Sequence, residues 1–331
     1  MDSLYYFWPE RGRLATMEDD QHVWTGYRTA AAAAGLRLDV ITVDDVDIVT
    51  RPRSAAVFVR GEPVDPARAI FHNKLYTWPA FAPDCWRYLS AFRSIEGAGY
   101  CTLIPAELNL ITNDKGSTLT FLREADSGWL PTLTIPTRDF TGLRVSPADA
   151  GISFPVVVKP ASWASGMGIT RAADDTELLA ALRLASAAEL TMVVQPDLSG
   201  AADFADIRVY CADRRPAGAL CRVPSGRSGV ANVTSGGLAE ITAVPVPLLD
   251  RSRAIAKTLD VPWLSVDFLR HEGRYYLSEV EPDACISPKT LALPGAERIL
   301  RERFRAYRSD FGQWLRARRE PAIPGAASHA G

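Results

Sequence analysis

Length, composition and charge already narrow the class of protein. The chain has 331 residues, enough for two domains or for one fold of two or three lobes, and its 47% hydrophobic and 23% charged residues are typical of globular proteins. The formal net charge of −2 at pH 7 gives no reason to expect a nucleic acid or an acidic membrane as the main partner, although a net charge does not exclude a local basic cleft.

The cysteines and the apolar runs indicate the compartment. The five cysteines are odd in number and none has the CxxC spacing, which argues against a disulfide framework or a zinc ribbon and favours a reducing compartment. The start, MDSLYYFWPERGR, lacks the pattern of a signal peptide, and no apolar run reaches the length of a membrane-spanning helix. We therefore expect a cytoplasmic protein without a membrane partner.

The first hundred residues alternate strand and helix patterns. Strands are predicted at 4–8, 38–43, 55–60 and 100–105, and helices at 19–34 and 85–99. Strands that alternate with helices are typical of an open α/β sheet. This part, residues 1–108, is predicted to be an N-terminal α/β domain.

The remaining residues suggest two further lobes and a tail. In a central lobe, 109–197, helices are predicted over 114–127 and 174–187, the first capped by Asn113 or Asp114 and ended by Gly128. In a C-terminal lobe, 198–320, antiparallel hairpins with the turns DRRP and HEG precede a packing helix over 294–318. Residues 321–331 are predicted to be a disordered tail.

The stretch VVVKPASWASGMGIT, residues 156–170, holds the first candidate for chemistry. Only five of the 37 basic residues are lysine, and one of them, Lys159, ends an apolar strand directly before a loop of small residues. Small side chains let backbone N–H groups approach an anion, and the lysine ammonium is a compact charge suited to phosphate oxygens. The spacing matches neither GxxxxGK[ST] nor GxGxxG, which disfavours a P-loop or Rossmann site and leaves an exposed hairpin as the alternative.

Three carboxylates in WLSVDFLRHEGRYYLSEVEP form the second candidate. Alternate side chains of a strand share a face, so Glu279 and Glu281 point to the same side, and a turn at 271–273 places Asp267 across from about Glu279. Carboxylates this close repel one another unless a cation lies among them, and hard oxygen ligands suit Mg²⁺. The alternative is an exposed hairpin with polar alternation, which the apolar residues on its other face disfavour.

Lys115 is the third candidate because it stands at the start of a predicted helix, in the segment NDK. A cation at that end of the helix dipole is unfavourable by roughly a few tenths of a kcal/mol, so this lysine is predicted to pair with an anion. Two lysines suited to phosphate and a carboxylate cluster suited to Mg²⁺ together predict a Mg·ATP site between lobes.

In this order and spacing, the two lysines, the small-residue loop, the strand MVVQPDL and the final carboxylates resemble the ATP-grasp superfamily. The resemblance is closest to its glutathione synthetase and α-L-glutamate ligase branch, and it covers about Asn109 to Pro288. It implies the ATP-grasp fold, an α/β fold with α+β lobes: an N-terminal open α/β domain, a central lid lobe and a C-terminal lobe with an antiparallel sheet. The first hundred residues resemble that family's N-terminal domain.

The resemblance also implies the site residues. Lys115 and Lys159 would contact ATP phosphates, residues 161–168 would form the lid loop, and Gln195 to Leu198 would form the hinge that faces adenine. Arg208 and Arg222 would be catalytic. The implied nucleotide-binding, metal and substrate positions are Lys115, Lys159, Ser162, Ser165, Gly166, Gly168, Gln195, Pro196, Asp197 and Leu198; Asp267, Glu279 and Glu281; and Asn232, Ser235 and Gly236.

Two positions depart from the family pattern. Glu281 stands where the family commonly has asparagine, which changes the charge of the metal site. Ser235 stands where many peptide-forming relatives have arginine, which would help to hold a substrate carboxylate. The aromatic segment FHNKLYTWPAFAPDCW, with His72 and Lys74, either lines a substrate pocket or packs in the core.

The activity that the resemblance implies is that of a carboxylate–amine ligase. Such enzymes use ATP and Mg²⁺, here expected as two ions with Mn²⁺ as a substitute, to phosphorylate a carboxylate, and an amine then displaces the phosphate to give an amide. The expected partners are a small amino-acid-like or peptide carboxylate and an amine, and a homodimer is one assembly left open. An intramolecular cyclo-ligase and a small-molecule kinase are the alternatives.

Overall fold

The computed structural model describes residues 1–9, 21–77, 84–138, 140–164, 166–223 and 238–319. The strands are β1 (Asp2–Phe7), β2 (Leu36–Ile41), β3 (Val46–Arg51), β4 (Ser54–Val59), β5 (Glu62–Pro63), β6 (Ala69–His72), β7 (Cys101–Thr102), β8 (Leu133–Pro136), β9 (Val156–Pro160), β10 (Thr170–Ala172), β11 (Thr191–Pro196), β12 (Ala205–Ala212), β13 (Arg215–Val223), β14 (Leu238–Thr242), β15 (Trp263–His271) and β16 (Arg274–Glu281). The helices are α1 (Gln21–Ala33), α2 (Cys85–Gly97), α3 (Ala106–Thr112), α4 (Lys115–Leu122), α5 (Asp175–Ser186), α6 (Val246–Leu259), α7 (Pro288–Leu291) and α8 (Ala296–Arg319).

The N-terminal sheet is parallel, with the strand order β2-β1-β6-β7. The sequence analysis missed β6, whose four residues are too few for a clear periodicity. The strand predicted over 100–105 is only Cys101–Thr102. The predicted strand at 55–60 is β4, which lies outside this sheet because β3 pairs with it as an antiparallel hairpin, and together with β5 they form a separate three-stranded sheet.

The central sheet has the order β10-β9-β11-β8 and is antiparallel throughout. Helix α5 covers it with Leu178 and Leu182, which are fully buried, and it begins where the Asp174 carboxylate accepts the Glu177 backbone N–H at 3.0 Å. This agrees with the predicted helix over 174–187.

The helix predicted over 114–127 is shorter than expected. Asp114 does cap it, accepting the Ser117 backbone N–H at 2.8 Å, but α4 ends at Leu122 instead of at Gly128. The reason is a tertiary contact. Asp126 turns back to bind Arg251 of α6, at 2.9 Å to Nε and 2.7 Å to Nη2, and this fixes residues 123–128 outside the helix.

The C-terminal sheet has the order β14-β13-β12-β15-β16, and both predicted hairpins are present in it. Its two faces differ, as the period of two residues requires. One face carries fully buried apolar side chains such as Val209, Val266 and Phe268, which pack under α6. The opposite face carries Arg208, Asp267 and the other polar residues that line a cavity.

Helix α8 joins the C-terminal sheet to the N-terminal sheet. Its buried side chains, including Ile299, Phe304 and Phe311, share one core with Leu4 and Trp263. The predicted packing helix over 294–318 is therefore confirmed. All five cysteines are free thiols, and none of the described helices is both long and apolar enough to cross a membrane. The architecture confirms the predicted α/β class with α+β lobes.

Candidate active site

One cavity of about 430 Å³ lies where the three larger sheets meet. The turn after β6, helix α4, strand β9 and the end of β11 form one side of it, and the polar face of the C-terminal sheet forms the other. Three of the five lysines of the chain line this cavity, namely Lys74, Lys115 and Lys159. Most of the few lysines of this arginine-rich chain therefore lie at one place.

Lys159 lies at the end of β9, paired with Val193 of β11, as the sequence predicted. Its side chain is buried, at 8% exposure for the residue, and it lines the cavity without a hydrogen bond or an ion pair to any described residue. Burial, and then the neighbouring charge of Lys115, lower the pKa of Lys159 from 10.5 to about 8. A buried ammonium without an acceptor is unfavourable, so its position indicates an anionic ligand.

Lys115 is the first residue of α4, and its side chain turns away from the helix towards the predicted lid loop. Its ammonium donates to the carbonyl oxygen of Trp163 at 2.6 Å and lies 3.7 Å from the Glu279 carboxylate. These partners explain why a cation is tolerated at this helix end. The side chain thus joins the loop after β9 to the carboxylates of β16.

The predicted lid loop approaches the cavity with Ser162 and Gly166, which both line it. Gly168 has a φ of +71°, and a Cβ atom there would lie 2.8 Å from Pro160 Cγ, so both the backbone conformation and the space require glycine. The Thr77 hydroxyl donates to the Ser162 carbonyl, which joins the N-terminal lobe to the loop. Ser165 lies outside the described residues.

The predicted hinge, Gln195 to Leu198, lines the cavity with all four residues. Gln195 is buried, and its side-chain amide donates to the Thr132 hydroxyl at 2.8 Å. Asp197 accepts a charge-assisted bond from Arg171 of β10 at 2.8 Å, which ties the end of β11 to the strand after the loop.

A β-bulge brings the carboxylates of the last hairpin together. From His271 to Phe268 the strands pair in one register, and between Phe268 and Asp267 the register shifts by one residue, so that Asp267 pairs with Glu279. Without the shift, Asp267 would lie across from Ser278. Cross-strand partners share a face, so the bulge places Asp267 and both glutamates on the cavity side.

Each of these carboxylates faces a basic side chain. Asp267 accepts bonds from Arg208 and Arg222, Glu279 faces Lys115 at 3.7 Å, and Glu281 faces Lys74 at 2.6 Å. These basic neighbours offset the predicted repulsion among the three carboxylates. Among the residues that the structure describes, no three acidic, histidine or cysteine side chains are close enough together to form a metal site, so the Mg²⁺ ligand set stays a prediction.

Two aspartates bind the two predicted catalytic arginines. Arg208 binds Asp267 in a bidentate pair, with Nε–Oδ1 and Nη2–Oδ2 distances of 2.8 Å, and Arg222 bridges Asp206 at 2.7 Å and Asp267 at 2.9 Å. Burial alone would raise the pKa of Asp267, but the two arginines outweigh it and hold the pKa below its ordinary value. Both arginines line the cavity with their orientation fixed.

The structure also places residues that the sequence analysis left open or missed. Lys74 belongs to the site, whereas His72 is fully buried beside Asp283 and does not line the cavity. Nothing in the local pattern of FHNKLYTWP separates these two residues. The predicted substrate residues Asn232, Ser235 and Gly236, and the predicted tail, lie outside the described residues.

Comparison with known proteins finds one domain profile and several similar folds. Residues 145–299 match the profile of the RimK-like ATP-grasp domain. A search of curated proteins found no match. Three similar solved structures are D-cycloserine synthetase DcsG (16% identity, TM-score 0.65, covering 93% of this chain and 99% of that one), the ATP-grasp ligase PsnB with its minimal precursor (18%, 0.61, 93% and 99%), and D-alanine–D-alanine ligase from Bacillus anthracis with ATP (15%, 0.60, 95% and 100%).

At these identities the similarity to solved structures concerns the fold, and it extends over nearly the whole chain, including the N-terminal residues outside the matched domain. The profile match is independent of it and includes Lys159, the hinge and all three carboxylates. The chain has the ATP-grasp fold, and its residues 145–299 match the RimK-like ATP-grasp domain.

Proposed function

We propose that this protein is an ATP-dependent carboxylate–amine ligase that forms an amide bond through an acyl phosphate and releases ADP and phosphate. The observation that carries the proposal is the buried, unpartnered ammonium of Lys159, which faces a cavity in an ATP-grasp fold. A phosphate group of ATP would supply the missing anion.

The cavity has a distinct place for each part of ATP in this proposal. Lys159 and Lys115 bind phosphate oxygens, and the backbone N–H groups of the loop at Ser162, Gly166 and Gly168 cover them. The adenine ring lies against Gln195, Pro196, Asp197 and Leu198. Because Lys115 already binds the loop carbonyl of Trp163, movement of the loop is coupled to the charge beside the phosphates.

Asp267, Glu279 and Glu281 are the residues that would hold Mg²⁺, as one or two ions. Their carboxylate oxygens are the donors that this cation prefers, and the buried Oε1 of Glu281 has no well-aligned hydrogen bond even though it lies next to Lys74. The ion would supply charge neutralisation for the phosphoryl group in transfer.

Arg208 and Arg222 stabilise the oxyanion of the tetrahedral intermediate that forms when the amine attacks the acyl phosphate. Their aspartate partners fix both guanidinium groups before the substrate arrives, so little reorganisation is required during the reaction. Closure of the loop after β9 keeps water away from the acyl phosphate. An amine that arrives uncharged attacks without a strong general base.

The substrate of this proposal is a small amino-acid-like or peptide carboxylate. Similar folds occur in D-alanine–D-alanine ligase and in D-cycloserine synthetase, and PsnB has been solved with the precursor peptide PsnA2 and AMPPNP. These titles span small and peptide substrates, so a screen has to include both.

The decisive experiment is ATP-dependent hydroxamate formation, with hydroxylamine as the amine and a panel of amino acids and short peptides as carboxylates. We expect one donor to give a hydroxamate together with stoichiometric ADP and phosphate, and Lys159→Ala to give none while the exposed-site control Lys257→Ala stays active. If ADP is released with a phosphorylated product and without any hydroxamate, the protein is a kinase and not a ligase. Absence of ATP binding by the wild-type protein would overturn the proposal.

A further inference from the structure

Lys74 is the feature of the site that neither the motifs nor the proposed roles explain. It follows β6 in the N-terminal sheet and precedes the matched domain along the chain, yet its ammonium lies 2.6 Å from Oε1 of Glu281 on the last strand of the C-terminal sheet. Both residues line the cavity. The Lys74 residue is only 5% exposed, so the pair is largely removed from water.

The backbone around Lys74 is clamped in place. The buried Asn109 side chain accepts the Leu75 backbone N–H at 2.8 Å and donates to the Asn73 carbonyl at 2.9 Å. These two bonds fix the residues on both sides of Lys74, and Asn113, four residues further along the chain, accepts a bond from the Lys74 ammonium at 3.3 Å. A buried lysine held this way has a defined direction, which points into the cavity.

Glu281 explains why a lysine is needed there. It is the position at which this chain has a carboxylate instead of the asparagine common in the resembling family. It lines the same cavity as Lys115 and Lys159, the residues proposed to bind the phosphates. A carboxylate next to phosphate repels it, while a carboxylate neutralised at 2.6 Å does so much less. The distance and the burial of Lys74 fit such a compensation.

We infer that Lys74 is a third lysine of the nucleotide site, a positioning residue that neutralises Glu281 and thereby permits phosphate to bind next to it. The inference rests on the proposed ATP site. A purely structural pair would join the N-terminal and C-terminal sheets and have no influence on nucleotide affinity beyond its effect on stability. Under our inference, removal of Lys74 and removal of Glu281 change nucleotide affinity in opposite directions, whereas for a structural pair neither removal changes it directly.

The test measures ATP affinity in EDTA, by competition with a fluorescent nucleotide, so that metal ligation by Glu281 does not enter. We expect Lys74→Met to weaken ATP binding at least about tenfold, because it leaves Glu281 uncompensated, and Glu281→Gln to tighten it about threefold, because it frees the ammonium. The double variant Lys74→Met/Glu281→Gln should return to within about threefold of the wild type. Lys257→Met, at an exposed site on α6, is the matched control.

The outcomes separate this inference from the proposed function. Wild-type protein that binds no ATP even in saturating Mg²⁺ would overturn the proposed site itself. Wild-type protein that binds ATP in Mg²⁺, with both single variants unchanged or both shifted in the same direction in EDTA, would overturn the role of Lys74. Should Lys74→Met fail to fold, the sign of Glu281→Gln and the retained affinity of Lys74→Arg give the same decision, and thermal unfolding of each variant reports the structural contribution.

Discussion

Two buried cations of this protein have opposite surroundings. Arg303 of α8 is fully buried, and its guanidinium donates to the Asp283 carboxylate and to the hydroxyls of Tyr6, Tyr27 and Tyr307. Lys159 is almost as buried, but it faces the cavity without an acceptor among the described residues. A buried cation whose donors are bonded belongs to the scaffold, whereas one that is left without a partner beside a cavity is placed for a ligand.

The electrostatics of the two clusters support this distinction. Burial alone would raise the pKa of Asp283, but Arg303 together with His72 and Tyr6 outweighs it and holds the pKa well below its ordinary value, so the charges of that cluster are matched. For Lys159, burial and the charge of Lys115 outweigh the carboxylates of Glu279 and Asp206, and its pKa falls to about 8. The first cluster should therefore respond to mutation in stability, and the second in ligand binding.

Loss of the Lys159 ammonium is the change with the largest expected effect. Lys159→Ala removes the charge proposed to bind phosphate, and ATP turnover should fall at least about a thousandfold, which corresponds to about 4 kcal/mol. Steady-state ADP release measures it, with Lys257→Ala as the control. Turnover within about tenfold of the wild type would show that Lys159 does not bind the phosphates.

Arg303→Met tests the other side of the comparison. It leaves the Asp283 carboxylate buried without its cation, so the free energy of unfolding should fall by about 3–5 kcal/mol. Urea denaturation followed by circular dichroism measures the change. Arg301→Met, at an exposed position two residues earlier on α8 that belongs to no buried cluster, should change stability by less than about 1 kcal/mol. Equal effects of the two substitutions would show that the ion pair of Arg303 with Asp283 does not stabilise the fold.

Lys159→Met should stabilise the protein in the absence of ligand. A pKa lowered from 10.5 to about 8 corresponds to about 3 kcal/mol of unfavourable burial of the charged form. The wild-type protein regains this stability as the pH rises from about 8 to 10.5, because Lys159 loses its proton earlier in the folded than in the unfolded state. The variant should therefore have the higher melting temperature at pH 7, and the gap should close with rising pH; a variant that melts lower at pH 7 would contradict this.

The pH dependence of ATP binding is the smallest of the expected effects. Phosphate binding requires the protonated form of Lys159, so affinity should fall above pH of about 8, by at most about tenfold for each pH unit. Calorimetric titrations between pH 7 and about 9.5 measure it. Lys159→Arg keeps its charge over this range and should show a flat profile, even if its geometry weakens binding overall. A flat wild-type profile would mean that another group carries the charge.

Much of the site could be predicted because its residues follow local periodicity. Glu279 and Glu281 share a face of one strand, and Lys159 stands at the end of a strand next to a glycine-containing loop; both patterns are visible in a few consecutive residues. The pairing of Asp267 with Glu279 was predicted only approximately, because the one-residue bulge that sets it depends on how the two strands twist against each other.

The fold class, many of the elements and the candidates for phosphate and metal binding follow from the amino-acid sequence, because strand alternation, helix caps and loop composition are local properties. Which charges are partners is visible only in the folded protein. Lys74 meets Glu281 across two sheets, Arg251 ends α4 by binding Asp126, and Arg303 neutralises Asp283. The physical reason is that these contacts join side chains of separate elements, and their distances depend on how the elements pack and not on any spacing within the chain.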